Sequence, residues 1–137
     1  MAHWLVKSEP SVWSFADQIA AGAKGRSWNG VRNHAAKLNL MAMKVGEEAF
    51  FYHSNEGKAV VGVVAVSKPY YPDPTDESGR FGMVDFTAVR ALERPVTLDE
   101  IKADKRLARM ILVVNSRLSV QPVTADEWRA VLALAKS

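Results

Sequence analysis

The most constraining feature of the sequence is an apolar run in the middle of the chain, AVVGVVAV at 59–66. Valine and alanine occupy both alternating sets of positions, so a strand formed here presents apolar side chains on both faces of its sheet. Gly62 interrupts the run, and a glycine inside a strand is typical of a bulge or a sharp bend. The run therefore predicts a strand that is buried on both faces and belongs to a sheet that curls on itself.

Further strands are predicted on both sides of this run. Residues 55–57, Asn-Glu-Gly, form a turn sequence, so the strand before them and the apolar run after them are expected to form a hairpin. Pro122 cannot donate a backbone hydrogen bond, so the strand that contains it is expected at an edge of the sheet. Residues 72–79 are rich in proline and acidic side chains and predict a loop. The predicted strands are residues 3–7, 47–54, 58–71, 81–93 and 117–123.

Short helices are predicted around the sheet. Three pairs have the spacing of a capping box at a helix start: Ser14 with Asp17, Thr97 with Glu100, and Thr124 with Glu127. The second predicted helix covers residues 31–43, and residues 110–114 are ambiguous between strand and helix. The residues expected to face inward are Phe15, Ile19, Ala20, Ala35, Leu38, Met43, Leu98, Ile101, Trp128, Val131, Leu132 and Ala135. About five strands with short peripheral helices describe an α+β fold.

Composition limits the classes of protein to which the chain can belong. Its 137 residues are a usual length for one domain, and 48% hydrophobic with 24% charged residues is typical of a folded globular protein. The absence of cysteine excludes disulfides, thiolate nucleophiles and cysteine-based zinc sites. No apolar run approaches the ~20 residues that span a bilayer, and the N-terminal residues lack the pattern of a secretion signal. We therefore expect one domain over residues 1–137, a cytoplasmic location and a monomer.

The sequence contains no recognised catalytic or metal-binding pattern. His3, His34 and His53 are scattered and have no partner at metal-ligand spacing. There is no GxxxxGK[ST] or GxGxxG phosphate loop, and no serine lies in a GxSxG turn. We therefore expect no metal and no cofactor. The net charge of +3, from 18 basic and 15 acidic residues, allows a nucleic-acid partner without requiring one.

Four polar segments interrupt the apolar pattern where predicted strands end or predicted helices begin. They are KSEP at 7–10, WNGVRN at 28–33, YHSN at 52–55 and NSRLS at 115–119. Binding groups often collect at such places, because a rigid scaffold positions the loops there. Each segment also has a purely structural interpretation, and spacing alone neither chooses between the two nor names a ligand.

The segment WNGVRN combines residue types that a plain structural element seldom contains. Trp28 is either a core residue or the wall of a pocket, and Asn29 is either a helix N-cap or a ligand contact. Gly30 lets the backbone come close to a ligand or to another strand. Arg32 is expected in the first turn of the helix, where the helix dipole disfavours a cation. It therefore needs a carboxylate or phosphate partner, or it points to solvent, and the purely structural interpretation is an ion pair with Glu9.

The other polar segments leave similar alternatives. Lys7 ends a strand, and its stem can simply carry the ammonium to water. Tyr52 and His53 point to opposite faces of a regular strand, so at most one of them lines a given cavity. Arg117 and Ser119 share one face of the predicted edge strand, where they either reach a phosphate together or stay exposed.

Five motifs occur in an order that covers nearly all of the chain. They are WLVKSEP at 4–10, WNGVRNHAAK at 28–37, FYHSN at 51–55, VGVVAV leading to YYPDPT at 61–75, and SRLSVQPVT at 116–124. In these motifs the chain resembles the EVE domain family of small PUA-like proteins, which are similar in fold to YTH and ASCH domains. YTH domains hold a methylated adenine in an aromatic cage, and EVE domains look like readers of modified cytosine in DNA, with modified RNA as a further candidate. His34 and Lys37 depart from the family pattern, in which an aromatic residue and an arginine are common.

The resemblance implies a PUA-like curled sheet or barrel with a pocket for a flipped base. Trp28 would form the wall on which the base stacks, so Trp28→Ala is expected to remove any base preference with little loss of thermal stability. The resemblance also implies that Arg32, Lys37 or Arg117 contacts a flanking phosphate. The implied pocket residues are Lys7, Ser8, Glu9, Trp28, Asn29, Gly30, Asn33, Tyr52, His53, Ser54, Arg117, Leu118 and Ser119.

Two functions are consistent with these expectations. The first is a non-catalytic module that recognises a modified pyrimidine base and has nucleic acid as its partner. The second is an amidohydrolase acting on acylated pyrimidine nucleosides, by analogy with ASCH-type proteins, with Lys7, Glu9 and His53 as base and acid. The second function needs at least two of those side chains within hydrogen-bond reach around one cavity.

Overall fold

The structure is a computed structural model and describes residues 1–136. Its strands are β1 (His3–Ser8), β2 (Arg26–Ser27), β3 (Glu48–His53), β4 (Ala59–Pro72), β5 (Gly82–Thr97) and β6 (Val120–Val123). Its α-helices are α1 (Phe15–Ala20), α2 (His34–Ala42), α3 (Leu98–Ala103), α4 (Ile111–Val114) and α5 (Ala125–Ala135). Short 3-10 turns at Gly22–Lys24 and Lys105–Leu107 complete the regular elements of the described residues.

The six strands form one sheet in the order β2-β5-β4-β3-β1-β6. The β1–β3 pair is parallel, with Ser8 opposite His53, and the other pairs are antiparallel. The predicted α+β fold with a curled sheet is confirmed, although within residues 1–136 the sheet stays open and does not close into a barrel. The strand containing Pro122 lies at an edge as predicted, and the two-residue strand β2 at the other edge was not predicted.

Strand β4 is buried on both faces, as the sequence predicts. Phe50 and Phe51 are neighbours on β3 but belong to different apolar clusters, so the two clusters lie on opposite faces of the sheet. Val64 of β4 belongs to the cluster under α1 and α2, and Val63 belongs to the cluster under α3, α4 and α5. Each face of the sheet is thus covered by its own set of helices.

The predicted bulge at Gly62 is present. The pairing register between β3 and β4 shifts after the Phe51–Gly62 pair, and Tyr52 pairs with Val60. The Phe15 ring of α1 occupies the space beside Gly62, because a Cβ at this position would lie 2.2 Å from Phe15 Cζ. Gly62 is therefore required by the close approach of an aromatic ring.

The three predicted capping boxes are all present, and they begin α1, α3 and α5. In each one the hydroxyl of the N-cap residue accepts a hydrogen bond from the third helical residue, whose carboxylate accepts one from the N-cap backbone. Residues 111–114, which the sequence left ambiguous, are helical. Local side-chain spacing was sufficient to place these helix starts.

The predicted bounds and inward face of the second helix are wrong. Helix α2 begins at His34, because the Asn33 side chain accepts the Ala36 N–H and acts as the N-cap. Ala36 and Leu40 are the buried positions, whereas Leu38 is 52% exposed. Ala35 is also exposed, and only Met43, at the C-cap, faces inward as expected.

The predicted apolar stripe of the first helix is also wrong in part. Phe15 is buried, but Ile19 is 52% exposed and Ala20 is exposed. Gln18 takes the inward position instead, because its amide has hydrogen-bond partners on both sides: it accepts from Trp13 Nε1 and donates to the Phe86 carbonyl. A buried polar side chain is tolerated when its hydrogen bonds are satisfied in this way.

The predicted strand at 117–123 begins three residues later than expected. Residues 116–119 form a turn in which the Leu118 N–H reaches the Asn115 carbonyl at 3.4 Å. Arg117 and Ser119 therefore do not share a strand face, because neither lies in the strand. Over residues 1–136, no helix combines the length and hydrophobicity needed to cross a membrane.

Candidate functional site

A cavity of about 400 Å³ lies beside the end of β1, between the loop that leads into α1 and the segment that follows β2. We call it the tryptophan cavity, because two tryptophans line it. It brings together two of the polar segments singled out in the sequence, KSEP and WNGVRN. Its lining residues are Lys7, Ser8, Glu9, Val12, Trp13, Arg26, Ser27, Trp28, Asn29 and Gly30.

Trp28 is both a core residue and a wall of this cavity. The residue is 9% exposed, and its ring meets the rings of Phe51 and Phe86 edge to face, with centroids 5.6 and 5.4 Å away. Its backbone N–H donates to the Val84 carbonyl at 2.7 Å. The two interpretations of Trp28 are therefore not exclusive, because one rigidly held ring serves the core and borders the cavity.

Trp13 forms a second aromatic wall, which the sequence analysis missed. Its Nε1 donates to Gln18 Oε1 at 2.8 Å, and the guanidinium carbon of Arg26 lies 4.0 Å from the centre of its ring. This is the geometry of a cation–π contact. Burial lowers the pKa of Arg26, and the charge of Asp17 opposes that shift. Arg26 thus covers one face of Trp13 inside the cavity.

The loop between Ser8 and Trp13 is fixed by its own hydrogen bonds. The Ser8 hydroxyl donates to the Trp13 carbonyl at 2.6 Å, and the N–H groups of Val12 and Trp13 both donate to the Glu9 carbonyl at 2.9 Å. Glu9 is exposed at the rim of the cavity. The Ser8 hydroxyl and the Glu9 carbonyl therefore hold Trp13 in place, while the side chains of Glu9 and Val12 remain available to line the cavity.

A buried carboxylate holds the opposite rim. Asp73 is 2% exposed and accepts hydrogen bonds from the Gly30 N–H at 2.9 Å and from Arg32 at 3.1 Å. Burial alone would raise the pKa of Asp73, but hydrogen bonds from Thr75, Gly30 and Arg32 outweigh it and lower the pKa to about 2. The loop 72–79 is thereby fastened to the segment that contains Asn29.

This arrangement corrects the expected environment of Arg32. Its ion-pair partner is Asp73 and not Glu9, and its second amino group donates to the Thr75 hydroxyl at 2.9 Å. It also lies before the N-cap Asn33 of α2, and not in the first helical turn as expected. Arg32 orders the loop that carries Gly30.

Ser27, between the two walls, is supported from behind by a chain of hydroxyls. Its Oγ lies 3.0 Å from the Tyr71 hydroxyl, which donates to Asp85 Oδ1 at 2.5 Å. Burial and the hydrogen bond to Asp85 both raise the pKa of Tyr71. The Lys68 ammonium lies 3.9 Å from the centre of the Tyr71 ring. This part of the wall is therefore held by long-range contacts between β2, β4 and β5.

A second cavity, of about 270 Å³, shares Lys7 with the first. We call it the lysine cavity. Tyr52 and Ser54 line this cavity and not the first one, so the expected single pocket is divided in two. Lys7 borders both cavities, and its Nζ donates to the Ser116 carbonyl at 2.6 Å. The residues lining the lysine cavity are Lys7, Tyr52, Ser54, Asn55, Lys58, Leu98, Leu112 and Ser116.

His53 lines neither cavity. Its Nε2 accepts the Phe15 N–H at 3.1 Å, and burial lowers its pKa, so it is the neutral tautomer with the proton on Nδ1. Its ring meets Phe51 edge to face, whereas Tyr52 packs in the cluster on the other side of the sheet. The expectation that Tyr52 and His53 point to opposite faces is confirmed.

The three residues proposed for amidohydrolase chemistry do not assemble. Lys7 and Glu9 both border the tryptophan cavity, but the Lys7 ammonium is engaged by the Ser116 carbonyl. His53 is engaged by the helix N–H of Phe15. The geometry therefore gives no specific support to an acid–base pair in this cavity.

The remaining predicted residues lie outside both cavities. Asn33 caps α2, and the Lys37 ammonium lies 5.7 Å from the centre of the Phe81 ring. Arg117 is exposed in the turn, and Leu118 packs against the apolar cluster under α1 and α2. The Ser119 carbonyl accepts the Lys7 N–H at 3.0 Å. Among residues 1–136, no group of three or more histidine or carboxylate side chains is placed to hold a metal ion.

The curled six-stranded sheet and the tryptophan-walled cavity beside its strand ends define a small α+β domain with one candidate ligand site at this edge of the sheet. The chain belongs to the EVE domain family, whose family model matches residues 2–134.

The relatives of this chain have the same fold over almost its whole length. A protein of Rhodopseudomonas palustris solved by NMR is 57% identical, with a TM-score of 0.94 over 99% of this chain and 94% of that one. Human thymocyte nuclear protein 1 is 35% identical over 97% of this chain and 73% of its own length. The structure of that human protein in complex with DNA containing 5-methylcytosine has a TM-score of 0.93 at 36% identity and covers 100% of this chain and 99% of the other. A variant of a Zymomonas mobilis ASCH protein has a TM-score of 0.59 at 13% identity, which shows the fold alone.

Proposed function

We propose that this protein is a non-catalytic module that binds nucleic acid and recognises a modified pyrimidine base, modified cytosine in DNA, in the tryptophan cavity. The observation that carries the proposal is a cavity of about 400 Å³ with two tryptophan walls and a polar rim. It is supported by 36% identity to the human protein whose structure contains DNA with 5-methylcytosine. One copy of the chain, acting as a single domain, accommodates one base.

The size and walls of the cavity suit a flat heterocycle. Ligand cavities in proteins are usually about 300–1,000 Å³ and are mostly apolar with a few placed polar groups. Stacking of a base on an aromatic side chain contributes ~1–3 kcal/mol, while removing a base from a duplex stack costs a few kcal/mol. Stacking on Trp13 or Trp28 therefore offsets much of that cost, and contacts at the base edge supply the rest.

Polar groups at the rim can read the edge of a cytosine. The Glu9 carboxylate is an acceptor that suits the exocyclic amine of cytosine, and Asn29 has both a donor and an acceptor. The Gly30 N–H is not available, because it donates to Asp73. In this segment, the groups left to contact the base edge and distinguish cytosine from other bases are therefore the Asn29 side chain and the Gly30 carbonyl.

Arg26 determines how a base can stack on Trp13. Its guanidinium covers one face of the Trp13 ring at 4.0 Å. A base that stacks on that face has to displace the guanidinium, which then becomes available to a phosphate. A base can alternatively stack on the outer face of the guanidinium, which is planar and favours such contacts. In both cases Arg26 links base binding to the charge of the backbone.

The proposal is tested by titrating fluorescent oligonucleotides with one central cytosine, 5-methylcytosine or another 5-substituted cytosine. The series is measured as single strands, duplexes and RNA at one fixed salt concentration. We expect tighter binding of at least one modified DNA than of its unmodified counterpart. Equal affinity for every modification in DNA and RNA contradicts the proposal, and a preference confined to RNA reassigns the polymer.

A further inference from the structure

The lysine cavity has the charge and lining of an anion site. Lys7 and Lys58 line it, and its lining within residues 1–136 includes no carboxylate. The ring of Tyr52, together with Leu98 and Leu112, gives it an apolar floor. A concave site of one charge sign with low-dielectric walls concentrates ions of the opposite sign.

The Tyr52 hydroxyl is an unused hydrogen-bonding group at this site. Tyr52 is 3% exposed and lines the lysine cavity. Its hydroxyl has no hydrogen-bond partner among residues 1–136. The hydroxyl oxygen keeps some solvent-accessible surface, so a group in the cavity can reach it. Buried hydroxyls are normally hydrogen-bonded, so this one is available to a group that enters the cavity.

Lys7 supplies a positioned cation at the boundary between the two cavities. Its Nζ donates to the Ser116 carbonyl at 2.6 Å and lies 5.9 Å from the centre of the Tyr52 ring. An ammonium has three donors, so two remain for a ligand. Burial lowers the pKa of Lys7, and a bound anion would favour its charged form.

We propose that the lysine cavity is a phosphate-binding site, in which a phosphate ester is held by Lys7, Lys58 and the Tyr52 hydroxyl. The inference rests on the proposed function for the source of the phosphate. Because Lys7 borders both cavities, a strand whose base occupies the tryptophan cavity brings a backbone phosphate to the lysine cavity. Arg26 lines the tryptophan cavity and Lys58 lines the lysine cavity, so in this proposal the strand meets a cation in each of the two cavities.

The first test is the salt dependence of oligonucleotide binding by Lys58→Gln and Tyr52→Phe. Each neutralised phosphate contributes about 0.7 for single strands and about 0.9 for duplexes to the slope of log K against log salt concentration. We expect Lys58→Gln to weaken binding of modified and unmodified oligonucleotides by the same factor and to reduce the slope by that amount. Tyr52→Phe, which keeps the ring in the core, should weaken both equally without changing the slope. Lys105→Gln removes the same charge from an exposed position that does not line the cavity and should leave the slope unchanged.

The second test identifies the source of the phosphate. Amide resonances of Ser54, Asn55 and Ser116 are followed by NMR during titration with inorganic phosphate and, separately, with a dinucleotide. Shifts with both ligands that are lost in Lys58→Gln establish a site for phosphate itself. Shifts with the dinucleotide alone establish a site that requires the polynucleotide backbone.

The two proposals fail in different ways. The phosphate site is overturned if Lys58→Gln has the same salt-dependence slope as the wild type and the Ser54 and Ser116 amide resonances do not shift with either ligand. This holds whether or not the protein prefers modified cytosine. A reduced slope with equal affinity for modified and unmodified cytosine leaves the phosphate site standing and overturns the base reader. A slope reduced equally by Lys105→Gln indicates a diffuse charge effect and also overturns the phosphate site.

Discussion

The guanidinium carbon of Arg26 lies over the indole of Trp13, 4.0 Å from the centre of the ring. This contact occurs inside the cavity where we propose that a base binds. A base that stacks on this face of Trp13 has to displace the guanidinium or stack on it, whereas the Trp28 ring on the other wall is fixed in the core by Phe51 and Phe86. The two tryptophans should consequently respond in different ways to substitution.

Trp13→Ala is expected to weaken binding of the preferred modified oligonucleotide by roughly 5- to 150-fold, because stacking of a base on an aromatic ring contributes about 1–3 kcal/mol. The measurement is fluorescence anisotropy with modified and unmodified strands. Leu38→Ala, which removes an exposed apolar side chain away from the cavity, is the control and should bind like the wild type. Unchanged affinity in a folded Trp13→Ala variant would show that this wall does not contact the base.

Trp28→Ala is expected to destabilise the fold, contrary to the expectation from sequence that stability would be nearly unchanged. Trp28 is 9% exposed and its ring contacts Phe51 and Phe86, and truncation of buried aromatic residues typically costs about 3–5 kcal/mol. Urea unfolding gives the free energy of the variant. Trp13→Ala, measured in parallel, should lose clearly less, and equal losses would argue against the division of roles.

Gly62→Ala is expected to destabilise the fold by about 1–3 kcal/mol or more, because the new Cβ would overlap the Phe15 ring at 2.2 Å. The melting temperature should fall accordingly. The double variant Gly62→Ala with Phe15→Leu provides the test of cause, since a smaller side chain at 15 makes room. Strictly additive losses would show that the overlap is not the reason.

Stability should fall as the pH drops below about 6.5, because of His53. Its pKa is lowered in the folded state by burial, so the unfolded chain binds a proton at a higher pH than the folded chain. Protonation also places a proton on Nε2, which accepts the Phe15 N–H in the neutral form. Urea unfolding at pH 7.5, 6.5 and 5.5 measures the effect. His53→Gln should flatten the fall and His34→Gln, at an exposed position, should not; the same slope in both variants would assign the effect elsewhere.

Asp73→Asn is expected to lower both stability and affinity for the modified base. The carboxylate accepts the Gly30 N–H and pairs with Arg32, so its replacement loosens the rim that contains Asn29. Because the pKa of Asp73 is lowered to about 2, its contribution should be present above about pH 4 and be lost as the pH falls towards 2. Asp99→Asn, on an exposed position of α3, is the matched control for thermal unfolding and for binding. Equal behaviour of the two variants would contradict the role of Asp73.

The parts of the fold that the sequence predicts well are those set by local pattern. Residues 59–66 are apolar at both alternating sets of positions and form the part of β4 that is buried on both faces. The capping residues Ser14, Thr97 and Thr124 begin helices because their partners lie three residues away. The motifs KSEP and WNGVRN do meet at one cavity, although only the family resemblance had brought them together.

The parts that could not be predicted depend on contacts between distant segments. Trp13 and Arg26 meet because β2 pairs with β5. A strand of only two residues is too short to show an alternating pattern in the sequence. The partner of Arg32 is Asp73, in a loop that spacing does not connect to it. Tyr52 faces the lysine cavity because alternation along β3 sends it to the opposite side of the sheet from Phe51. Sequence thus identified candidate groups, and the sheet pairing decided which of them share a cavity.

The backbone hydrogen bonds that close the loop between Ser8 and Trp13 have a consequence for redesign. The Glu9 carbonyl and the Ser8 hydroxyl determine the path of this loop, so the side chains at Glu9 and Val12 can be exchanged without rebuilding it. Trp28 offers no such freedom, because the same ring supports Phe51 and Phe86. Laboratory evolution toward a different base should therefore accumulate its productive changes on the Glu9 side of the cavity and spare the indole opposite.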